Sequence, residues 1–328
     1  MSALSRELQL LTWLHQVCGL HQFTLTVASA DASFRRYFRV HRPGQASWIV
    51  MDAPPDKEDC RPFIDCAARL QSAGVHVPYI VAQDVEQGFL LLEDLGDRLY
   101  LSELTSANAD QLYGAACQVL LQMQSVGLTT GLMPYDAALL RQELQLFEDW
   151  FVHAYLKLSL TQVEQALLRT CFALLIEQAV QQPQVLVHRD FHARNLLVCE
   201  TGSPGVIDFQ DAMLGPVTYD LVSLWRDSYI AWPSDRVDAW LADYTEQAIA
   251  RGILTAAQGA QIPRWFDWMG VQRQLKIAGI FARLHLRDGK SDYLADIPQT
   301  LAYIVLAAGR QPGLRPLAKF IQQRCWAG

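Results

Sequence analysis

VLVHRDFHARNLLVCETGSPGVIDFQDAML, residues 185–214, is the stretch of sequence that decides the fold. Its three apolar runs predict three short strands, and the Gly/Ser/Pro run at 202–205 predicts the turn between the last two. Polar side chains stand where the predicted strands end. They are His188, Asp190, Asn195 and Asp208. The stretch therefore predicts a strand–loop–strand–turn–strand unit with its polar groups presented by the loops.

The spacing of these polar residues suits phosphoryl transfer. One carboxylate, Asp190, can orient an attacking hydroxyl and accept its proton as the catalytic base. Asn195 and Asp208 supply the oxygen ligands that Mg²⁺ prefers when it bridges the phosphates of a nucleotide. We therefore expect ATP and Mg²⁺ as cofactors, with Asp190 as the catalytic residue and the other two as metal ligands.

The same residues resemble the kinase superfamily, whose catalytic loop reads H-x-D-x-x-x-x-N and whose metal-binding Asp lies on the next hairpin. Two features are similar to its aminoglycoside phosphotransferase/choline kinase branch: the segment 208–211, DFQD, and the segment 215–221, GPVTYDL. The resemblance implies a bilobal, protein-kinase-like α+β fold. We place a small antiparallel β lobe at residues 1–96 and a mostly helical lobe with the catalytic loop and acceptor pocket at 97–328.

Residues 24–51 predict three short strands, and the connection at 31–37 lies where a kinase folds the loop that covers the phosphates. Small residues such as Ser33 allow backbone N–H groups to approach phosphate oxygens, although a plain hairpin turn explains the same residues. Met51 stands where kinases carry a phosphate-pairing lysine. Arg35 or Arg36 can replace that cation, because guanidinium binds phosphate in a bidentate manner; solvated surface arginines are the competing interpretation.

The apolar strand that begins at Phe89 ends in Glu93, Asp94 and Leu95. It resembles the hinge of the phosphotransferase branch, where adenine pairs with backbone groups. We therefore expect Glu93 and Leu95 to contribute to the nucleotide site through their main chain.

The remainder of the chain is predicted to be mostly helical, from apolar periodicity over 106–126, 136–182 and three later blocks. The acidic residue Glu143 in the second block is interpreted as part of a solvated face, with substrate contact as the less frequent alternative. In the resembling family the later helices build the acceptor pocket. Their large side chains, Trp225, Arg226, Trp265, Trp268 and Arg273, can contact a sugar, although Trp more often packs in a core.

Composition limits the classes of partner. The formal charge of −7 does not favour nucleic-acid binding, and no apolar run approaches the ~20 residues of a membrane-spanning helix. The seven cysteines are scattered, without paired zinc-like spacing, which predicts reduced thiols. The N-terminus lacks the pattern of a signal peptide. We expect a cytoplasmic monomer that acts on a small molecule.

A narrower resemblance concerns the acceptor. The elements ASFRRYFR at 32–39, MDAPP at 51–55, HRDFHARN at 188–195 and IDFQDA at 207–212 resemble the bacterial anomeric kinases of peptidoglycan recycling. That subset phosphorylates the C1 hydroxyl of N-acetylmuramate and N-acetylglucosamine, which implies an amino-sugar kinase. Two alternatives remain open: another small-molecule kinase of the aminoglycoside, choline or homoserine type, and a nucleotide-binding pseudokinase scaffold, suggested only by Met51.

Overall fold

A computed structural model describes residues 3–30, 34–125 and 129–326 of the chain. It divides into two compact units. The first comprises residues 1–98 and 197–211, and the second comprises 99–196 and 212–328. The boundary near residue 98 lies close to the division expected at residue 96, and the segment 197–211 returns to the first unit.

The first unit is built on a five-stranded antiparallel sheet with the order β1-β2-β3-β5-β4. Its elements are α1 (Ala3–Gln16), β1 (Thr24–Ala30), β2 (Arg36–His41), β3 (Trp48–Asp52), α2 (Arg61–Ser72), β4 (Ile80–Asp84) and β5 (Phe89–Glu93). The apolar face of α1, with Trp13 and Leu14, packs on buried sheet residues that include Val50 and Phe89. Because these side chains are almost fully buried, each stabilises the unit by about 1.5–3 kcal/mol.

The second unit begins with a series of helices. They are α3 (Tyr100–Glu103), α4 (Ala109–Ser125), α5 (Ala137–Leu146) with a π-helical continuation (Phe147–Tyr155), and α6 (Gln162–Val180). The uninterrupted helical pattern predicted over 136–182 was wrong at residues 156–161, where the chain leaves helical geometry. Thr161 restarts it, because its side chain and that of Glu164 form a reciprocal capping box.

The motif stretch forms four short strands, as its apolar runs predicted in part. They are β6 (Gln184–Val187), β7 (Leu196–Leu197), β8 (Gly205–Val206) and β9 (Met213–Pro216). The pair β6–β9 is antiparallel, and β7 pairs with β8. The strand β9 begins in the last two residues of the stretch, was not among the three strands predicted, and pairs with the strand that leads to His188.

The C-terminal part is mostly helical. Its helices are α7 (Tyr219–Trp225), α8 (Ser234–Ala250), α9 (Ala256–Gly259), α10 (Ile262–Asp288), α11 (Ile297–Arg310) and α12 (Arg315–Phe320). The long helix α10 is the centre of this unit and is buried along most of its length. At Gly279 a Cβ would lie 2.4 Å from the carbonyl carbon of Leu146, so glycine permits the close approach of α10 to α5. Among the described residues no helix is both long and apolar enough to cross a bilayer.

Candidate active site

The loop that follows β6 is held from behind by one buried carboxylate. Asp220, on α7, is fully buried and accepts the backbone N–H of His188 at 2.6 Å and of Arg189 at 3.0 Å. Arg189 adopts a left-handed backbone with φ of 76°, which is unfavourable for a residue with a side chain. The two hydrogen bonds to Asp220 offset this cost and fix the direction in which the loop leaves the strand.

The backbone of Asp190 is fixed by contacts within the same loop. Its N–H donates to His188 Nδ1 at 3.3 Å, and its carbonyl oxygen accepts from Asn195 Nδ2 at 2.9 Å and from the N–H of His192 at 3.0 Å. The side chain of Asp190 is 48% exposed. The second unit therefore brings Asp190 and Asn195 together and presents a carboxylate on a rigid loop, while the geometry makes His188 a brace for that loop.

The electrostatic surroundings keep Asp190 ionised. Its partial burial acts to raise the pKa of its carboxyl, but His192, Lys276 and Arg273 outweigh this effect and hold the pKa below its ordinary value. An ionised carboxylate at neutral pH is the protonation state that a base requires.

A buried charge cluster beneath the loop was missed by the sequence interpretation. Glu143 is 5% exposed rather than part of a solvated face. Its Oε1 accepts from Arg189 Nη2 at 2.8 Å and lies 2.9 Å from Lys276 Nζ, and its Oε2 accepts from Tyr135 and Gln272. Burial acts to raise the pKa of Glu143, but Lys276, Tyr135 and Arg189 hold it below its ordinary value. The cluster anchors the side chain of the strained residue Arg189.

The far half of the loop is held by a second buried carboxylate. Asp227 accepts the backbone N–H of Ala193 at 3.3 Å and of Tyr229 at 3.0 Å. The rings of Tyr229 and His192 make an edge-to-face contact. The guanidinium of Arg194 stacks over the ring of Tyr229, 3.7 Å from its centroid. Burial outweighs the Asp227 and Asp190 carboxylates and holds the pKa of His192 below its ordinary value. Both ends of the loop that presents Asp190 are thus tied to buried aspartates by backbone hydrogen bonds.

The two residues expected to bind the metal lie in different units. In the second unit, Asn195 Nδ2 is used as a donor to Asp190, so Oδ1 is the amide atom with lone pairs for a cation. In the first unit, Asp208 has a left-handed φ of 64° and its Oδ1 accepts from Gln210 Nε2 at 2.8 Å. Both side chains offer oxygen atoms, which is the type of ligand that Mg²⁺ prefers. The described residues contain no group of three or more His, Cys, Asp or Glu that could hold a metal ion.

The arginines expected to replace the kinase lysine both have carboxylate partners in the first unit. Arg36 pairs with the fully buried Asp52, which also binds Arg6 at 2.8 Å. Arg35 pairs with Glu58 at 3.2 Å. Arg36 keeps 43% of its side chain exposed, whereas Arg35 keeps 12%. Met51 itself is fully buried, and Ser33 lies outside the described residues.

The predicted hinge is pinned by Asp94, between the two residues that we expected to contribute. Its carboxylate accepts from Arg39 Nε at 2.7 Å, from Ser47 Oγ at 2.6 Å and from the N–H of Gly96 at 3.0 Å. The N–H of Glu93 donates to the carbonyl oxygen of Tyr79 at 3.0 Å, and Leu95 O accepts from the thiol of Cys199 at 3.8 Å. The sequence did not single out Asp94, because its role depends on Arg39 of β2 and on Ser47, which directly precedes β3.

Comparison with known proteins supplies the family. The family model described as the phosphotransferase enzyme family matches residues 24–258. A Pseudomonas putida protein named N-acetylmuramate/N-acetylglucosamine kinase is 49% identical over 300 residues, covering 92% of this chain and 88% of that protein. A Neisseria meningitidis protein of the same name is 39% identical and covers 96% of this chain and 94% of that protein.

Solved structures at low identity confirm the kinase-like fold. A Plasmodium vivax ethanolamine kinase superposes with a TM-score of 0.65 at 13% identity, over 91% of this chain and 88% of that one. An ADP-bound aminoglycoside phosphotransferase gives 0.59 at 16% identity, over 90% of this chain and 97% of that one. The expected bilobal α+β fold, with a small antiparallel sheet unit and a mostly helical unit, is therefore correct. The chain belongs to the phosphotransferase enzyme family.

Proposed function

We propose that the chain is an ATP-dependent kinase that phosphorylates the anomeric C1 hydroxyl of N-acetylmuramate and N-acetylglucosamine in cell-wall recycling. The choice of acceptor rests on the 39–49% identity, over more than nine tenths of the chain, to relatives named for these two sugars. The rigidly presented, ionised carboxylate of Asp190 supports the chemistry.

In this proposal the acceptor binds with its C1 hydroxyl against Asp190. The hydroxyl oxygen forms a bond to the γ-phosphorus, the bond from that phosphorus to the leaving ADP oxygen breaks, and the hydroxyl proton passes to the Asp190 carboxylate. An anomeric hydroxyl is more acidic than an ordinary alcohol, and a loose phosphoryl-transfer transition state demands little of a base until late. The loop held by Asp220 and Asp227 contributes orientation, because it fixes the direction of the attacking oxygen.

The cofactor contacts are part of the proposal. Asn195 Oδ1 and the Asp208 carboxylate would hold Mg²⁺, which when bound neutralises charge on the phosphates. Backbone groups at Glu93 and Leu95 pair with adenine, and Ser33, which lies outside the described residues, contributes to phosphate binding. Of Arg35 and Arg36 we favour Arg36 as the phosphate-binding cation, since its guanidinium is anchored by a carboxylate and remains partly exposed.

We further propose that the protein acts in the cytoplasm, as a monomer, on small molecules. The seven cysteines, all within the described residues, form no disulfide, which fits a reducing compartment.

ATP turnover measured with a panel of acceptors tests the proposed function. The panel comprises N-acetylmuramate, N-acetylglucosamine, kanamycin, choline and homoserine. The proposal expects turnover with both amino sugars and none with the others. Turnover of kanamycin, choline or homoserine alone would replace it with another small-molecule kinase of the same family. Nucleotide binding without turnover of any acceptor would favour a pseudokinase.

A further inference from the structure

Among the described residues, every buried arginine except one lies within hydrogen-bond distance of a carboxylate. Arg6, Arg226 and Arg273 are the arginines that are less than 9% exposed among the residues that the structure describes. Arg6 lies 2.8 Å from Asp52 and Arg226 lies 2.5 Å from Asp267. Arg273 has only a long contact, 3.8 Å from its Nη2 to Asp190 Oδ1, and its side chain is 5% exposed.

The neighbouring cation on the same helix makes the contrast sharper. Lys276 lies one turn further along α10 and contacts both Glu143, at 2.9 Å, and the hydroxyl of Tyr219, at 3.0 Å. The guanidinium of Arg273 lies 6.0 Å from the ring centroid of Tyr219, and its buried Nε has no hydrogen-bond acceptor among the described residues. Arginine does not lose its charge in proteins, so a buried guanidinium with unfilled donors is costly unless an anion binds it.

A bound acceptor can supply that anion. Building on the proposed function, we propose that Arg273 binds the carboxylate of N-acetylmuramate. N-acetylmuramate is N-acetylglucosamine with a lactyl ether on O3, so the two acceptors differ by one carboxylate. A sugar whose C1 hydroxyl contacts Asp190 lies beside Arg273, because the two side chains are 3.8 Å apart. The planar guanidinium matches a carboxylate with two parallel hydrogen bonds.

The long contact to Asp190 explains how the neutral sugar is tolerated. At 3.8 Å the aspartate compensates the charge of Arg273 in part, without a close hydrogen bond that an incoming carboxylate would have to break. Arg273 is therefore a substrate-binding residue that discriminates between the two sugars, while Asp190 serves both.

Steady-state kinetics of Arg273→Gln with both sugars test this assignment. For N-acetylmuramate, kcat/KM should fall at least ~30-fold, chiefly through KM, because the carboxylate is bound alike in the ground state and the transition state. For N-acetylglucosamine the fall should be at least ~10-fold smaller, because that sugar loses only the effect of Arg273 on Asp190 and not a carboxylate contact. Arg264→Gln, on an exposed residue of the same helix, is the matched control and should change neither value.

Arg273→Lys gives a graded comparison, since it keeps the charge and loses the planar fork; its loss with N-acetylmuramate should be intermediate. It also replaces Arg273→Gln in the comparison if that variant fails to fold. An equal fall in kcat with both sugars would overturn the assignment in favour of contact with the transferred phosphoryl group. An unchanged ratio of kcat/KM between the two sugars would also overturn it. Failure of the wild type to use either sugar would overturn the proposed function and this assignment together, whereas the variant outcomes bear on Arg273 alone.

Discussion

Replacing Asp220 with asparagine tests how the catalytic loop is anchored. The carboxyl is fully buried, and burial raises its pKa from 3.8 to about 7, against the lowering effect of the backbone N–H groups of His188 and Arg189. A carboxyl whose pKa is higher in the folded state stabilises that state while protonated. This contribution is full below pH 4 and is lost as the pH rises through about 7.

The size of the change in unfolding free energy follows from the pKa shift of Asp220. Each pKa unit corresponds to about 1.4 kcal/mol, so between pH 5 and pH 8 the wild type should lose about 3 kcal/mol of unfolding free energy through Asp220 alone. Asparagine does not titrate and offers one acceptor oxygen to two N–H donors. We therefore expect Asp220→Asn to add a pH-independent cost of about 1–3 kcal/mol.

Urea unfolding of both proteins at several pH values between 5 and 8 measures this effect. The quantity to plot is the wild-type free energy of unfolding minus that of Asp220→Asn. The subtraction removes the opposite slope from His192, whose pKa is lowered by burial. The difference should fall by about 3 kcal/mol as the pH rises. A flat difference would refute the reasoning, because it would mean that the two backbone hydrogen bonds keep Asp220 ionised throughout.

Three further substitutions test separate parts of the site. Asp190→Asn keeps the shape of the base and should lower kcat at least ~10²–10⁴-fold while a fluorescent ATP analogue still binds; near-native turnover would exclude Asp190 as the base. Glu143→Gln leaves two partly buried cations without their carboxylate and should lower the free energy of unfolding by about 2–4 kcal/mol, with partial recovery in the Glu143→Gln, Lys276→Met double variant; a loss below about 1 kcal/mol would contradict this role of the cluster. Arg36→Ala should raise KM for ATP more than Arg35→Ala does, and equal small effects would leave the phosphates to backbone amides.

The local pattern of the motif stretch was sufficient to predict the strands β6, β7 and β8 and the loop that joins Asp190 to Asn195. Those elements depend on residues close together in the sequence, such as the apolar runs and the turn at 202–205. The comparisons confirm the family to which the same residues pointed.

The predictions failed where a residue's environment is set by distant parts of the chain. Glu143 has the composition of a solvated helix face, but Lys276 and Arg189 converge on it from α10 and from the catalytic loop. Asp94 is likewise defined by Arg39 and Ser47. Apolar periodicity also continued through residues 156–161, although the chain leaves helical geometry there. The spacing of apolar residues does not predict such contacts with distant parts of the chain.

The site of phosphorylation on the sugar tests the central claim most directly. The protein, ATP, Mg²⁺ and N-acetylglucosamine would be incubated, and the product examined by proton NMR with phosphorus decoupling. An anomeric kinase yields the 1-phosphate, in which the anomeric proton shows a coupling that disappears on phosphorus decoupling. Coupling at the C6 protons instead, or no sugar phosphate alongside phosphorylated kanamycin or choline, would contradict the account.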